Sequence, residues 1–129
     1  MIAVKVKKQS NYPVNVRKLK RALSDFLKGR GIVSDAQASV AIVSEREMLE
    51  LSAKFLKEKP PRLHNVLSFG FDEKPDFTMP QGKIFLGEII LCYKKVVDEA
   101  GRENKLIQDK VEELTLHGAL HLLGIHHDE

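Results

Sequence analysis

His117-Gly118-Ala119-Leu120-His121-Leu122-Leu123-Gly124-Ile125-His126-His127 is the stretch on which the reading of this chain turns. Residues four apart lie on one face of a helix, one turn apart, so His117 and His121 point the same way. Two imidazoles placed like this grip one metal ion at about 2.0–2.1 Å each. Gly124, lacking a Cβ, accepts a left-handed conformation and turns the chain sharply. The turn brings back a third histidine, either His126 or His127. Three histidine ligands leave the fourth tetrahedral position open, as a catalytic zinc site requires. The plain alternative is a pair of ordinary histidines beside an apolar stripe of Leu116, Leu120 and Leu123. Four of the chain's five histidines fall in this one stretch, which favours a metal site. Zinc is preferred on ligand grounds, with nickel and other imidazole-binding ions as alternatives.

Working outward, the helix that carries these histidines is predicted to run from about residue 106 to 123, stopped by Gly124. Residues 2–8 alternate apolar and basic side chains, the period of a half-exposed strand. After Pro13, Val16, Leu19, Leu23, Phe26 and Leu27 recur at helical spacing, and Gly29 is expected to end that helix. A second strand is expected over 38–43. Ser44 is placed to cap a helix over 45–58, with Glu45 and Glu47 at its positive end, and Lys59-Pro60-Pro61-Arg62 breaks it. Further strands are expected over 65–71 and 83–91, with a loop over 72–82 between them. A helix over 92–101 then leads into the last one. The order β-α-β-α-β-β-α-α places the chain in the α+β (mixed α/β) class. It is read as a single domain, residues 1–129, with a four-stranded sheet packed with helices and a metal site on the C-terminal helix and the turn after it.

The 129 residues are 43% hydrophobic and 30% charged, which fits one folded core and excludes a disordered chain. No apolar run approaches the roughly 18 residues that span a bilayer. The first residues read as a strand, not a leader, and the lone Cys92 forms no internal disulfide, so a cytoplasmic protein without membrane contact is expected. Net charge is +3, unevenly spread. Residues 1–64 carry 14 Lys+Arg against 6 Asp+Glu, and residues 65–129 carry 7 against 12. A basic face with Arg17, Lys18 and Arg21 suits an RNA backbone; the bland reading is a solvated Lys/Glu-rich surface. Few aromatics, Phe69, Phe71 and Phe77, lie near the expected cleft, so backbone and shape recognition are expected over base readout.

His-x-x-x-His-x-x-Gly-x-x-His is the zinc spacing of the metzincin peptidases. There a Glu after the first histidine is the general base; here Gly118 takes that position, which argues against peptidase chemistry. The pattern His-Gly-x-Leu-His-Leu-x-Gly-x-x-His instead resembles the signature of the YbeY family, metal-dependent endoribonucleases of rRNA maturation. Asn65-Val66-Leu67-Ser68-Phe69 and Leu86-Gly87-Glu88-Ile89-Ile90-Leu91-Cys92 resemble two strand motifs of the same family. The resemblance covers about residues 40–127. It implies a single-strand-specific endoribonuclease that processes the 3′ end of small-subunit rRNA and serves ribosome quality control. Its partners would be single-stranded rRNA and the ribosome or small ribosomal subunit, with no DNA. By position it assigns one zinc ion per chain to His117, His121 and His127.

Two positions depart from the family pattern. The family's Asp before the third histidine is His126 here. Its Tyr-Arg pair late in the second helix is matched by Phe55-Leu56, followed by a longer loop over 57–64. The missing cation is either supplied by Lys57, Lys59 or Arg62, with Lys57 and Arg62 as the candidate catalytic positions, or absent altogether. The plain reading of each is a solvated charge. His64 stands before the third strand as a further candidate for the cleft, Ser68 as a polar group toward RNA or a ligand histidine. Glu88 is either a carboxylate that orients a metal-bound imidazole or an ordinary outward strand residue. Cys92 is read as a small buried hydrophobe. The rival to the nuclease is a non-catalytic RNA- or ribosome-binding module with a structural zinc, which the absent arginine favours. An open three-histidine site disfavours it, because structural zinc takes four protein ligands.

Overall fold

A computed structural model of the chain describes residues 1–70 and 84–124. The expected loop over 72–82, Phe71, Phe77, His126 and His127 lie outside those residues. The elements run β1 (Ile2–Lys7), α1 (Val16–Gly29), β2 (Ala36–Val43), α2 (Glu45–Phe55), β3 (Val66–Gly70), β4 (Ile84–Cys92), α3 (Tyr93–Glu103) and α4 (Ile107–Leu122). The α+β class and the element order are as the periodicity predicts. The strands form one sheet in the order β1-β2-β4-β3. β1, β2 and β4 are parallel, and β3 runs antiparallel to β4.

The alternation of β2 explains the layering. Ala38, Val40 and Ile42 point to one face, where Leu19, Leu23 and Leu27 of α1, Val96 of α3 and Val111, Leu114 and Ala119 of α4 complete the larger core. Ala41 points to the other face, where Met48 of α2 packs with Leu67, Phe69, Ile90 and Cys92. Cys92 is fully buried and its thiol pKa is pushed up by that burial, so it is indeed a small core residue. α4 is held at its start as well: the Asn15 N–H donates to Gln108 Oε1 at 2.8 Å, and Gln108 Nε2 donates back to the Asn15 carbonyl at 3.3 Å.

Ser44 caps α2 as expected, in a reciprocal capping box with Glu47. The helix stops at Phe55, three residues short of the predicted end, because the chain turns at Lys57 (φ 55°). Gly29 is the last residue of α1, and Gly31 (φ +93°) makes the left-handed turn instead. α4 also departs from the simple stripe. Its buried face is Val111, Leu114, Thr115, Gly118 and Ala119, whereas Leu116, Leu120 and Leu123 are only half-buried. A small-residue face brings the helix axis closer to the sheet than a leucine stripe does.

Candidate functional site

Two glycines set where α4 lies. Gly118 sits against β3 and β4: a Cβ built on it falls 2.8 Å from Ile89 Cγ2 and 2.9 Å from Ser68 Oγ. Gly87 (φ +141°) sits where β4 carries an extra residue against β2, and its own Cβ would fall 2.3 Å from the Phe69 carbonyl oxygen and 2.7 Å from Leu122 Cδ2. Leu122 therefore lies over a bare stretch of sheet. The position after the first histidine faces the sheet, so no general base fits there, which is the physical reason the metzincin glutamate has no counterpart.

With Gly118 against the sheet, the flank of α4 beside β3 carries the histidines. The His117 and His121 rings stand edge to face, centroids 5.4 Å apart and planes at 65°. Both are exposed and line a cleft of about 310 Å³ with Asn65, Val66, Leu67 and Ser68. Two imidazoles at that spacing are a donor pair suited to one zinc-type ion, whose Zn–N bonds are about 2.0–2.1 Å. Gly124 (φ +80°) takes the left-handed turn after α4, its N–H donating to the His121 carbonyl at 3.0 Å. Among the described residues no group of three or more His, Cys, Asp or Glu is placed to hold a metal; the third candidate ligand, His127, lies outside them.

Ser68 pairs with Ile89 across β3–β4 and faces α4. Glu88 does not. It pairs with Phe69 and Ser39, in line with Lys5, and lines a groove on the opposite face of the sheet with Lys5, Lys7 and Ser39. Strand alternation thus excludes it as a carboxylate for these histidines. His64 is engaged elsewhere, its Nε2 2.8 Å from Glu58 Oε1, which also accepts from Ser52 Oγ at 3.0 Å. The hydrogen bond to His64 chiefly lowers the Glu58 pKa. Ser52 Oγ accepts in turn from the Arg62 N–H at 3.1 Å, so this network shapes the loop over 57–64. Lys57 and Arg62 are exposed on that loop and do not line the cleft. Arg62 stands three positions before Asn65, which does.

Sequence reading missed Asn65 and what holds it. Asn65 Nδ2 donates to both carboxylate oxygens of Glu99 at 3.2 Å. Glu99 lies 3.6 Å from Lys110 Nζ, whose side chain is 5% exposed. Lys110 also bonds Glu103 at 3.0 Å and Glu113 at 2.9 Å. Burial by itself lowers the Lys110 pKa, but its hydrogen bonds with Glu113 and Glu103 outweigh that and raise it. Hydrogen bonds from Lys105 and then Lys110 hold the Glu113 carboxyl below its ordinary value; for Glu103 Lys110 comes first. These residues come from α3, α4 and the start of β3, so no local spacing announces the cluster.

A family model described as endoribonuclease YbeY matches residues 3–129. A Thermobifida fusca protein named endoribonuclease YbeY is 31% identical, over 99% of this chain and 83% of that protein. A Moorella thermoacetica protein of the same name is 32% identical, over 93% of this chain and 80% of that one. The fold is similar to a solution structure of a Thermotoga maritima protein, at a TM-score of 0.61 and 28% identity over 100% of this chain and 77% of that one. With the match spanning nearly the whole length and a paired-histidine cleft where the motif predicts it, the chain belongs to the endoribonuclease YbeY family.

Proposed function

We propose that this chain is a zinc-dependent endoribonuclease specific for single-stranded RNA, acting in the cytoplasm on small-subunit rRNA 3′ ends and in ribosome quality control. Family membership supports the RNA substrate and the nuclease chemistry. The single observation that carries the metal reading is the His117–His121 pair, 5.4 Å apart at the mouth of one cleft. His117, His121 and His127 hold the ion in this reading. When bound, it supplies Lewis acidity toward a phosphoryl oxygen and makes water a stronger nucleophile near neutral pH. Asn65 and Ser68 line the cleft opposite the histidines and offer hydrogen bonds that orient an RNA strand there. Arg62, at the end of the loop that leads into Asn65, is the better placed of the two candidate cations for the negative charge that develops during phosphodiester cleavage. Lys57 stands further back at the end of α2. The exposed bases of α1, Arg17, Lys18 and Arg21 among them, supply a sequence-independent pull on the RNA backbone.

The test is metal analysis joined to cleavage. Wild type and His121→Ala, purified without chelating resin, are assayed for bound metal and then incubated with single-stranded and duplex RNA. About one zinc per chain, with single-strand cleavage abolished in His121→Ala, is the expected result. Bound zinc without cleavage would instead support the non-catalytic module. Leu56, 40% exposed at the end of α2 where the family arginine is expected, is the observation that keeps that second reading in play.

A further inference from the structure

Beside the histidine cleft lies a larger cavity of about 530 Å³ between α1, α4 and the start of β3. The two share Asn65, Val66 and His117 as a common wall, so a strand laid across the histidines passes the mouth of the second. Its sides are apolar, with Phe26 supplying an aromatic face and Leu114 and Leu120 closing the α4 side. Its polar lining is Asn65, Glu99, Lys110 and Glu113, with His117 on the wall it shares with the cleft. Lys110 is held by three carboxylates and offers nothing to an anion. Asn65 turns its amide nitrogen to Glu99, and its Oδ1 is an acceptor. The Glu99 carboxylate has about four lone-pair sites, of which Asn65 engages a part. Glu113 adds a further negative charge at the wall.

A phosphate is repelled by such a lining, whereas a flat, apolar-faced, neutral group with N–H donors on one edge fits it. Resting on the ribonuclease reading above, we propose that this cavity takes one splayed base of the single-stranded RNA substrate, and that the base is guanine. Unstacked bases are the usual means of reading single-stranded RNA, held between aromatic or apolar side chains and hydrogen-bonded on their edges. Guanine presents adjacent N1–H and N2–H donors to the Glu99 and Asn65 oxygens. Uracil presents one N–H flanked by two carbonyls that a carboxylate repels. This assigns Glu99 and Asn65 as base-reading residues and departs from the sequence expectation of backbone and shape recognition over base readout.

The test is binding, measured under chelator so that no cleavage occurs. Fluorescence anisotropy compares a labelled single-stranded all-uridine octamer with one carrying a single internal guanosine, on wild type, Glu99→Gln and Leu120→Trp. Wild type is expected to bind the guanosine octamer about tenfold more tightly, the scale of one to two net hydrogen bonds. Glu99→Gln should bring the two within about twofold, and the half-exposed Leu120→Trp, which fills the cavity without touching the Lys110 cluster, should do the same. Equal binding of both octamers by wild type, or a preference that persists in both variants, overturns the proposal. Cleavage without base preference leaves the metalloribonuclease reading standing and removes this pocket; a preference without zinc-dependent cleavage does the reverse.

Discussion

Replacing Gly87 by alanine tests the claim that bare sheet beneath Leu122 places the histidine-bearing end of α4. The new Cβ would sit 2.3 Å from the Phe69 carbonyl oxygen, a backbone atom that cannot rotate away, and 2.7 Å from Leu122 Cδ2. The φ of +141° is one that alanine adopts only under strain, at about 1–3 kcal/mol. Overpacking at a buried contact adds about 1–3 kcal/mol more, so the loss should be about 2–6 kcal/mol. With an m-value of about 2 kcal/mol per molar urea, the unfolding midpoint falls by about 2 M. The matched control is Gly101→Ala in α3, where nothing lies within 4 Å and φ is not positive; it should gain about 0.5–1 kcal/mol from helix propensity and a less flexible unfolded chain. Urea melts followed by far-ultraviolet circular dichroism read both. A fall of less than about 0.5 M for Gly87→Ala would refute the packing argument, since the lower bound of strain alone, about 1 kcal/mol, already gives that shift. A surviving fraction of Gly87→Ala should also bind zinc more weakly, because His121 precedes the displaced Leu122.

Gly118→Glu, which restores the metzincin residue, should give no soluble folded protein. It buries a carboxylate against Ile89 and Ser68, at more than about 4 kcal/mol; a folded, peptide-cleaving variant would contradict the placement of α4. Gly118→Ala should lose about 1 kcal/mol, the overpacking of one methyl less its helix-propensity gain, measured by urea unfolding. Lys110→Met should cost about 1–3 kcal/mol at pH 7, below the usual figure for a broken buried pair because Glu103 and Glu113 are 41% and 45% exposed and partly screened. Its pH dependence has a definite sign. The Glu103 and Glu113 pKa values are depressed in the folded state, so their contribution is present above the ordinary carboxylate value and lost as pH falls through the folded one. The gap between wild type and Lys110→Met should therefore close in acid, and a gap that widens below pH 4 would contradict the pairing. Zinc at about a hundredfold its Kd should stabilise wild type by about 2.7 kcal/mol and leave His121→Ala unmoved; a thermal midpoint indifferent to zinc in wild type would tell against the site.

Local chemistry was enough for much of this protein. The element order followed from periodicity, because strand and helix repeats of 2 and 3.6 are local properties of the backbone. The α2 cap followed from Ser44 and Glu47, three positions apart. The His117–His121 pair and the Gly124 turn were legible for the same reason: one helical turn and one φ value are set within a few residues. Three things depended on the folded chain. Glu88 looked available to the histidines, but strand alternation and the Ser39–Glu88–Phe69 register put it on the far face. The buried face of α4 proved to be Gly118, Ala119 and Thr115 rather than its leucines, because the sheet's surface at Gly87 and Ser68 decides how close a helix comes. The Asn65–Glu99–Lys110 cluster joins residues from three elements, and Lys110 is buried with charge intact only because carboxylates from α3 and α4 converge on it. Sequence determines what one turn or one strand can do; which faces meet, and so which groups stand at the cleft, is settled by packing between segments distant in the chain.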